Sequence, residues 1–193
     1  FQGITVFDMN ASQLANIAGA LFMLPFFLFS AGAGQLADKY EKSQLMRIVK
    51  IIEICLMLLA AFALVNDLYE LLFFVLFLLG CQSTLFGPVK YAYLPQKLET
   101  HELIGGNALV ESGTYLAIIF GLLVGDLAVA RDPDNLYVLA TCLIAFAIVG
   151  YLTSRAVPHT PPVDPDLKFS WNLWRETTHI FNFARKDRTV FLA

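Results

Sequence analysis

"LANIAGALFMLPFFLFSAGAG", residues 14–34, decides the fold. Its 21 residues carry no charge. At ~1.5 Å per residue a helix of that length crosses the ~30 Å hydrocarbon core of a bilayer. Four more apolar runs follow, at residues 48–65, 71–89, 104–130 and 136–152, each of 17 residues or more. Helices satisfy their own backbone groups in lipid, so helices are the expected spanning form. The strict alternation of a membrane β-barrel is absent from these runs. The reading is an all-α membrane protein with about five transmembrane helices.

Composition agrees. Of 193 residues, 58% are hydrophobic and 15% charged, and mean hydropathy is +0.64. Soluble domains carry about 45–50% apolar and about 25% charged residues. A net charge of -3 gives no reason to expect a nucleic-acid partner. Cys55, Cys81 and Cys142 fall in three different runs, and His101, His159 and His179 lie outside them, with no metal or redox spacing. No metal and no cofactor are expected.

Basic residues set the orientation. One side of the membrane, with the adjoining helix ends, takes Lys39, Lys42, Arg47, Lys50, Lys90, Lys97, Arg155, Lys168, Arg175, Arg185, Lys186 and Arg188, and the other takes only Arg131. By the positive-inside rule the basic side is cytoplasmic. The chain has no initiator Met, and "RTVFLA" at its end starts an apolar run after a basic cluster. It therefore reads as an internal piece of a longer transporter-like chain, with one helix preceding Phe1. Residues 1–156 are expected to belong to a helix bundle. Residues 157–188 would form a central cytoplasmic loop, whose four prolines in 157–166 exclude a regular helix there. After them, Phe169, Leu173, Trp174, Thr177, Ile180, Phe181 and Ala184 recur at helical spacing, as in an amphipathic helix on the inner leaflet. Residues 189–193 would begin the next span.

The first cytoplasmic loop reads "GQLADKYEKSQLMRI", residues 34–48. Gly34, Leu36, Ala37, Asp38, Lys39 and Lys42 fit the loop signature of the major facilitator superfamily, which the sequence resembles. Glu41 stands where glycine is usual, and Ser43 where a base is usual. The resemblance implies the second to sixth helices of a twelve-helix fold. It also implies a conformational latch at Gly34, Asp38, Lys39 and Lys42.

"LFGPVKYAYLPQKL", residues 85–98, places Lys90 inside a membrane run. Pro95 is expected to end the helix, which puts Lys90 about 7 Å from that end. A lysine can snorkel most of that distance. Three features point instead to a site. Gly87 and Pro88 precede the lysine and disturb the helix. Asn107, Glu111 and Thr114 share a face of the next helix, so a Lys90–Glu111 pair would satisfy both charges. Gln82, two turns before Lys90, extends the polar stripe. Glu53 reads as a plain partner of Lys50 at the cytoplasmic end. Ala117, Gly121 and Gly125 form a small-residue stripe fit for a close helix neighbour.

"FGPVKYAYLPQKL" followed by "ELIGGNALVESGTYLAIIFG" resembles the bacterial lysophospholipid transporter family at Pro88, Lys90, Tyr91, Leu94, Asn107, Leu109 and Glu111, with Ala92 where glycine is usual. The resemblance implies a flippase of the bacterial inner membrane. It would bring lysophosphatidylethanolamine-type lipids to the cytoplasmic leaflet, with an acyltransferase/acyl-ACP synthetase as partner or fusion. Lys90 would contact the lipid phosphate, beside Tyr91, Gln82 and Asn107. Glu111 would hold Lys90 in the empty site or meet the ammonium in the filled one. Two other readings are the membrane module of a fused acyltransferase and a general facilitator exporting small molecules.

Overall fold

The computed structural model describes residues 10–131 and 136–167. Helix α1 is Ala11–Lys39, α2 Lys42–Val65, α3 Tyr69–Tyr93, α4 Leu103–Arg131 and α5 Tyr137–Ser154. One 3-10 turn, Leu94–Gln96, follows α3. All five helices are long and apolar enough to cross a membrane. No strand occurs among the described residues. The amphipathic segment after residue 168 and the start of a further span lie outside the described residues.

The helix ends near the α1–α2 turn differ from the sequence expectation in one place. Helix α2 begins at Lys42, not near residue 48, because Glu41 caps it. The Glu41 carboxylate accepts from the Ser43 and Gln44 backbone N–H groups at 2.9 and 2.7 Å. An N-cap carboxylate satisfies donors that the first turn cannot pair and suits the positive end of the helix dipole. Helix α3 runs unbroken through Pro88 and tightens into the 3-10 turn at Leu94, with Pro95 inside that turn. At the other face, α2 and α3 join through a short turn in which Asp67 adopts φ 53°. Aspartate tolerates this left-handed conformation better than most residues.

Helix α3 is the centre of the packing, against α1 on one side and α2 on another, while α5 lies on α2. The α1–α3 approach is close because Gly80 has no side chain. A Cβ there would press on the Phe22 carbonyl oxygen and touch the Pro25 ring at 3.0 Å. Leu56, Ala60 and Val75 form one buried cluster between α2 and α3, and Ala37, Met46 and Val89 form another near the α1–α2 turn. Outward-facing side chains such as Phe27, 82% exposed, have the apolar character that lipid requires. Helix α4 has few described neighbours. A Cβ at Gly121 or Gly125 would meet nothing within 4 Å, so no described helix occupies the small-residue stripe.

After α5 the chain doubles back as a strap across the end of the bundle where α1 and α2 join. Arg47 donates to the Val157 carbonyl at 3.3 Å, and Lys97 donates to that of His159 at 3.1 Å. The Thr160 N–H donates to Glu41 Oε1 at 2.9 Å. The Val163 and Asp164 N–H groups both donate to the Asp38 carbonyl, at 3.0 and 3.1 Å. The four-proline segment thus finds its backbone partners on the α1–α2 turn, on Arg47 of α2 and on Lys97 after the 3-10 turn.

Candidate functional site

Lys90 occupies the last turn of α3, where a cation is favoured by the helix dipole. Its ammonium reaches α4, but not at the expected partner. It donates to Thr114 Oγ1 at 3.3 Å and lies 4.8 Å from the centre of the Tyr91 ring. The Thr114 hydroxyl donates its own hydrogen bond to the Val110 carbonyl at 2.9 Å. The hydroxyl is therefore oriented as an acceptor toward Lys90. Lys90 and Glu111 form no ion pair among the described residues; Glu111 is half-buried and Asn107 exposed. The reason is geometric: Glu111 and Thr114 are three residues apart on α4, and which of them faces Lys90 depends on how the two helices are set against each other. Lys90 is thus a half-buried cation with a hydroxyl and a ring face as partners and no carboxylate among the described residues.

Gln82 does not join it. Eight residues at ~100° each leave Gln82 about 80° around α3 from Lys90, and it turns to α2 instead. Its Nε2 donates to Glu53 Oε2 at 3.0 Å, and Gln82 is 7% exposed. Lys50 donates to the same oxygen at 2.7 Å. The i,i+3 pair expected at the cytoplasmic end is present. Its depth is different: Glu53 is the twelfth of the 24 residues of α2, near mid-helix.

The expected latch residues gather around the α1–α2 turn. Asp38 holds the strap through its backbone carbonyl while its side chain stays exposed. Gly34 is half-buried, and Lys39 lies over the Tyr40 ring at 5.9 Å. Lys42 is wholly buried, and its ammonium has no hydrogen-bond partner among the described residues. Glu41, outside the signature, is the better-connected residue. Burial pushes its carboxyl up, but the donors from Thr160, Ser43 and Gln44 outweigh this and hold it at about 2, below its ordinary 4.5. The signal was the departure from glycine at that position.

The sequence profile of the Major Facilitator Superfamily matches residues 4–193. The chain belongs to the major facilitator superfamily. Five spans, this family and the bacterial relatives place it as a multi-pass protein of the inner membrane. It is similar to the lysophospholipid transporter LplT of Enterobacter sp. (strain 638), 27% identical over 165 residues covering 86% of this chain and 39% of that protein. The transporter of the same name from Escherichia coli (strain K12 / DH10B) is 28% identical over 164 residues, 84% of this chain and 38% of that one. The chain thus spans about two fifths of the length of these relatives. No solved structure gives a significant match. For this superfamily member, the loop signature at residues 34–42 and the strap that covers it form one assembly at the α1–α2 turn.

Proposed function

We propose that this chain is part of a lysophospholipid transporter that moves lysophosphatidylethanolamine-type lipids to the cytoplasmic leaflet. Lys90 carries the reading. A membrane-embedded ammonium with no carboxylate partner among the described residues can take a phosphate oxygen in a charge-assisted hydrogen bond. The names of the relatives support a lipid substrate. Tyr91 and Thr114 would hold the ammonium between substrates, and Asn107 and Glu111 would flank the same site on α4. The latch role of Gly34, Asp38, Lys39 and Lys42 is part of this proposal, and so is a reacylating enzyme, as partner or fusion, that consumes the delivered lipid.

The test is uptake and reacylation of labelled lysophosphatidylethanolamine by the full-length protein, in cells lacking their own transporter. Lys90→Gln is expected to lower uptake roughly tenfold, about 1.4 kcal/mol of lost binding in the rate-limiting complex. Lys90→Arg should keep much of it. Equal uptake by wild type and Lys90→Gln at equal protein levels would reduce Lys90 to an interfacial anchor. No uptake by wild type would remove the lipid reading.

A further inference from the structure

The mid-helix cluster on α2 and α3 is absorbed neither by the Lys90 site nor by the proposed latch. Lys50 and Glu53 are ionisable residues deep in the bundle, and such residues are costly unless paired or facing a polar path. The pair is built between three helices. The Lys50 ammonium lies 5.0 Å from the centre of the Phe86 ring on α3, and 3.3 Å from where a Cβ on Gly150 of α5 would stand. Gln82, near the middle of α3, ties Glu53 across the helix pair.

Two details separate this cluster from a closed structural pair. Both donors converge on one carboxylate oxygen, Oε2. The other, Oε1, receives no hydrogen bond among the described residues. A carboxylate has about four acceptor positions and an ammonium three donors, so each group retains capacity. Neither side chain is sealed: Lys50 is 20% exposed and Glu53 18%. A bound group offering one negative and one positive charge could therefore add to the pair without leaving any charge unmatched. A neutral pair that accepts a neutral zwitterion brings no net charge into the helix bundle.

We propose that Lys50 and Glu53 form a second station for a zwitterionic lipid headgroup, with the phosphate on Lys50 and the ammonium on Glu53 Oε1. This rests on the lipid reading above and extends it. Gln82 keeps Glu53 in place when Lys50 turns to the phosphate. The station lies about 12 Å along α3 from Lys90, the eight-residue separation of Gln82 and Lys90. The headgroup would pass from Lys90 on α3 to Lys50 on the neighbouring α2. Glu53 then reads the ammonium, and the station favours ethanolamine over glycerol headgroups.

The experiment compares uptake of lysophosphatidylethanolamine and lysophosphatidylglycerol by the full-length protein in the same cells. For Glu53→Gln the ethanolamine-to-glycerol uptake ratio is expected to fall about tenfold. For Lys50→Gln both uptakes should fall and the ratio should stay within twofold of wild type. A purely structural pair would lower both lipids alike in Glu53→Gln, and that result, or an unchanged ratio, overturns the station. Glu53→Asp, which keeps the charge on a shorter arm, serves if Glu53→Gln does not reach the membrane; its ratio should also fall, and an unchanged ratio counts against the proposal. Soluble phosphoethanolamine that competes as well as the lipid would overturn the assignment to a membrane lipid. Failure of wild type on both lipids removes the underlying transport reading as well, and is distinguished by that pattern.

Discussion

Glu41→Ala loosens the strap at neutral pH. The carboxylate accepts from the Ser43 and Gln44 N–H groups, the Ser43 hydroxyl at 2.9 Å and the Thr160 N–H. Alanine removes the α2 cap and the tie between residues 41 and 160 together. Holding the carboxyl at about 2 instead of 4.5 corresponds to about 3 kcal/mol, at ~1.36 kcal/mol per unit. Cap loss alone typically costs ~0.5–2 kcal/mol. The sign follows from linkage. A depressed carboxyl contributes fully above 4.5, and its contribution disappears as pH falls through that value toward 2. Wild type should therefore keep its strap from pH 8 to pH 5 and release it only in strong acid. Limited proteolysis of residues 157–167 checks both points. Cleavage of Glu41→Ala at pH 7, with wild type resistant there and at pH 5, is the expected result. Equal resistance of the two proteins would show that the Asp38 and Arg47 contacts suffice.

Gly80→Val separates α1 from α3. The added Cβ must displace the Phe22 backbone carbonyl or the buried ring of Pro25, and neither is the end of a flexible side chain. Overpacking of this kind costs roughly 1–3 kcal/mol, occasionally more. A second branch on Cβ adds volume that the site lacks, so Gly80→Ala should lie between wild type and Gly80→Val. Thermal unfolding of the full-length protein in detergent measures the order. A valine variant as stable as wild type would mean that the two helices do not meet as closely as described.

The apolar runs were legible because charge-free stretches of membrane length leave few alternatives, as at residues 14–34. Helix starts were less so. Glu41 looked like a flaw in a loop signature, whereas its carboxylate begins α2 six residues before the apolar run. The candidate site divided along similar lines. Lys90 stood out as a charge in a membrane run, and its reach to α4 was anticipated. Its partner was not, since the sequence does not fix the rotation of one helix against another. Gln82 was assigned to the wrong neighbour because eight residues are not a whole number of turns at 3.6 per turn. Glu53 was visible as a partner of Lys50 from i,i+3 spacing. Its depth became clear only once α2 was seen to start at Lys42.

The strap also imposes an order on synthesis. Glu41 and Thr160 are 119 residues apart in the chain. At ~5–20 residues per second the ribosome needs roughly 6–24 s to deliver the second after the first. Through that interval Glu41 has its donors from Ser43 and Gln44, so α2 can be capped as soon as it emerges. The tie across the α1–α2 turn must wait until α5 has been made. Insertion of the helices therefore comes first and fastening of their ends last, and a nascent chain halted before Thr160 would hold its spans without the clasp.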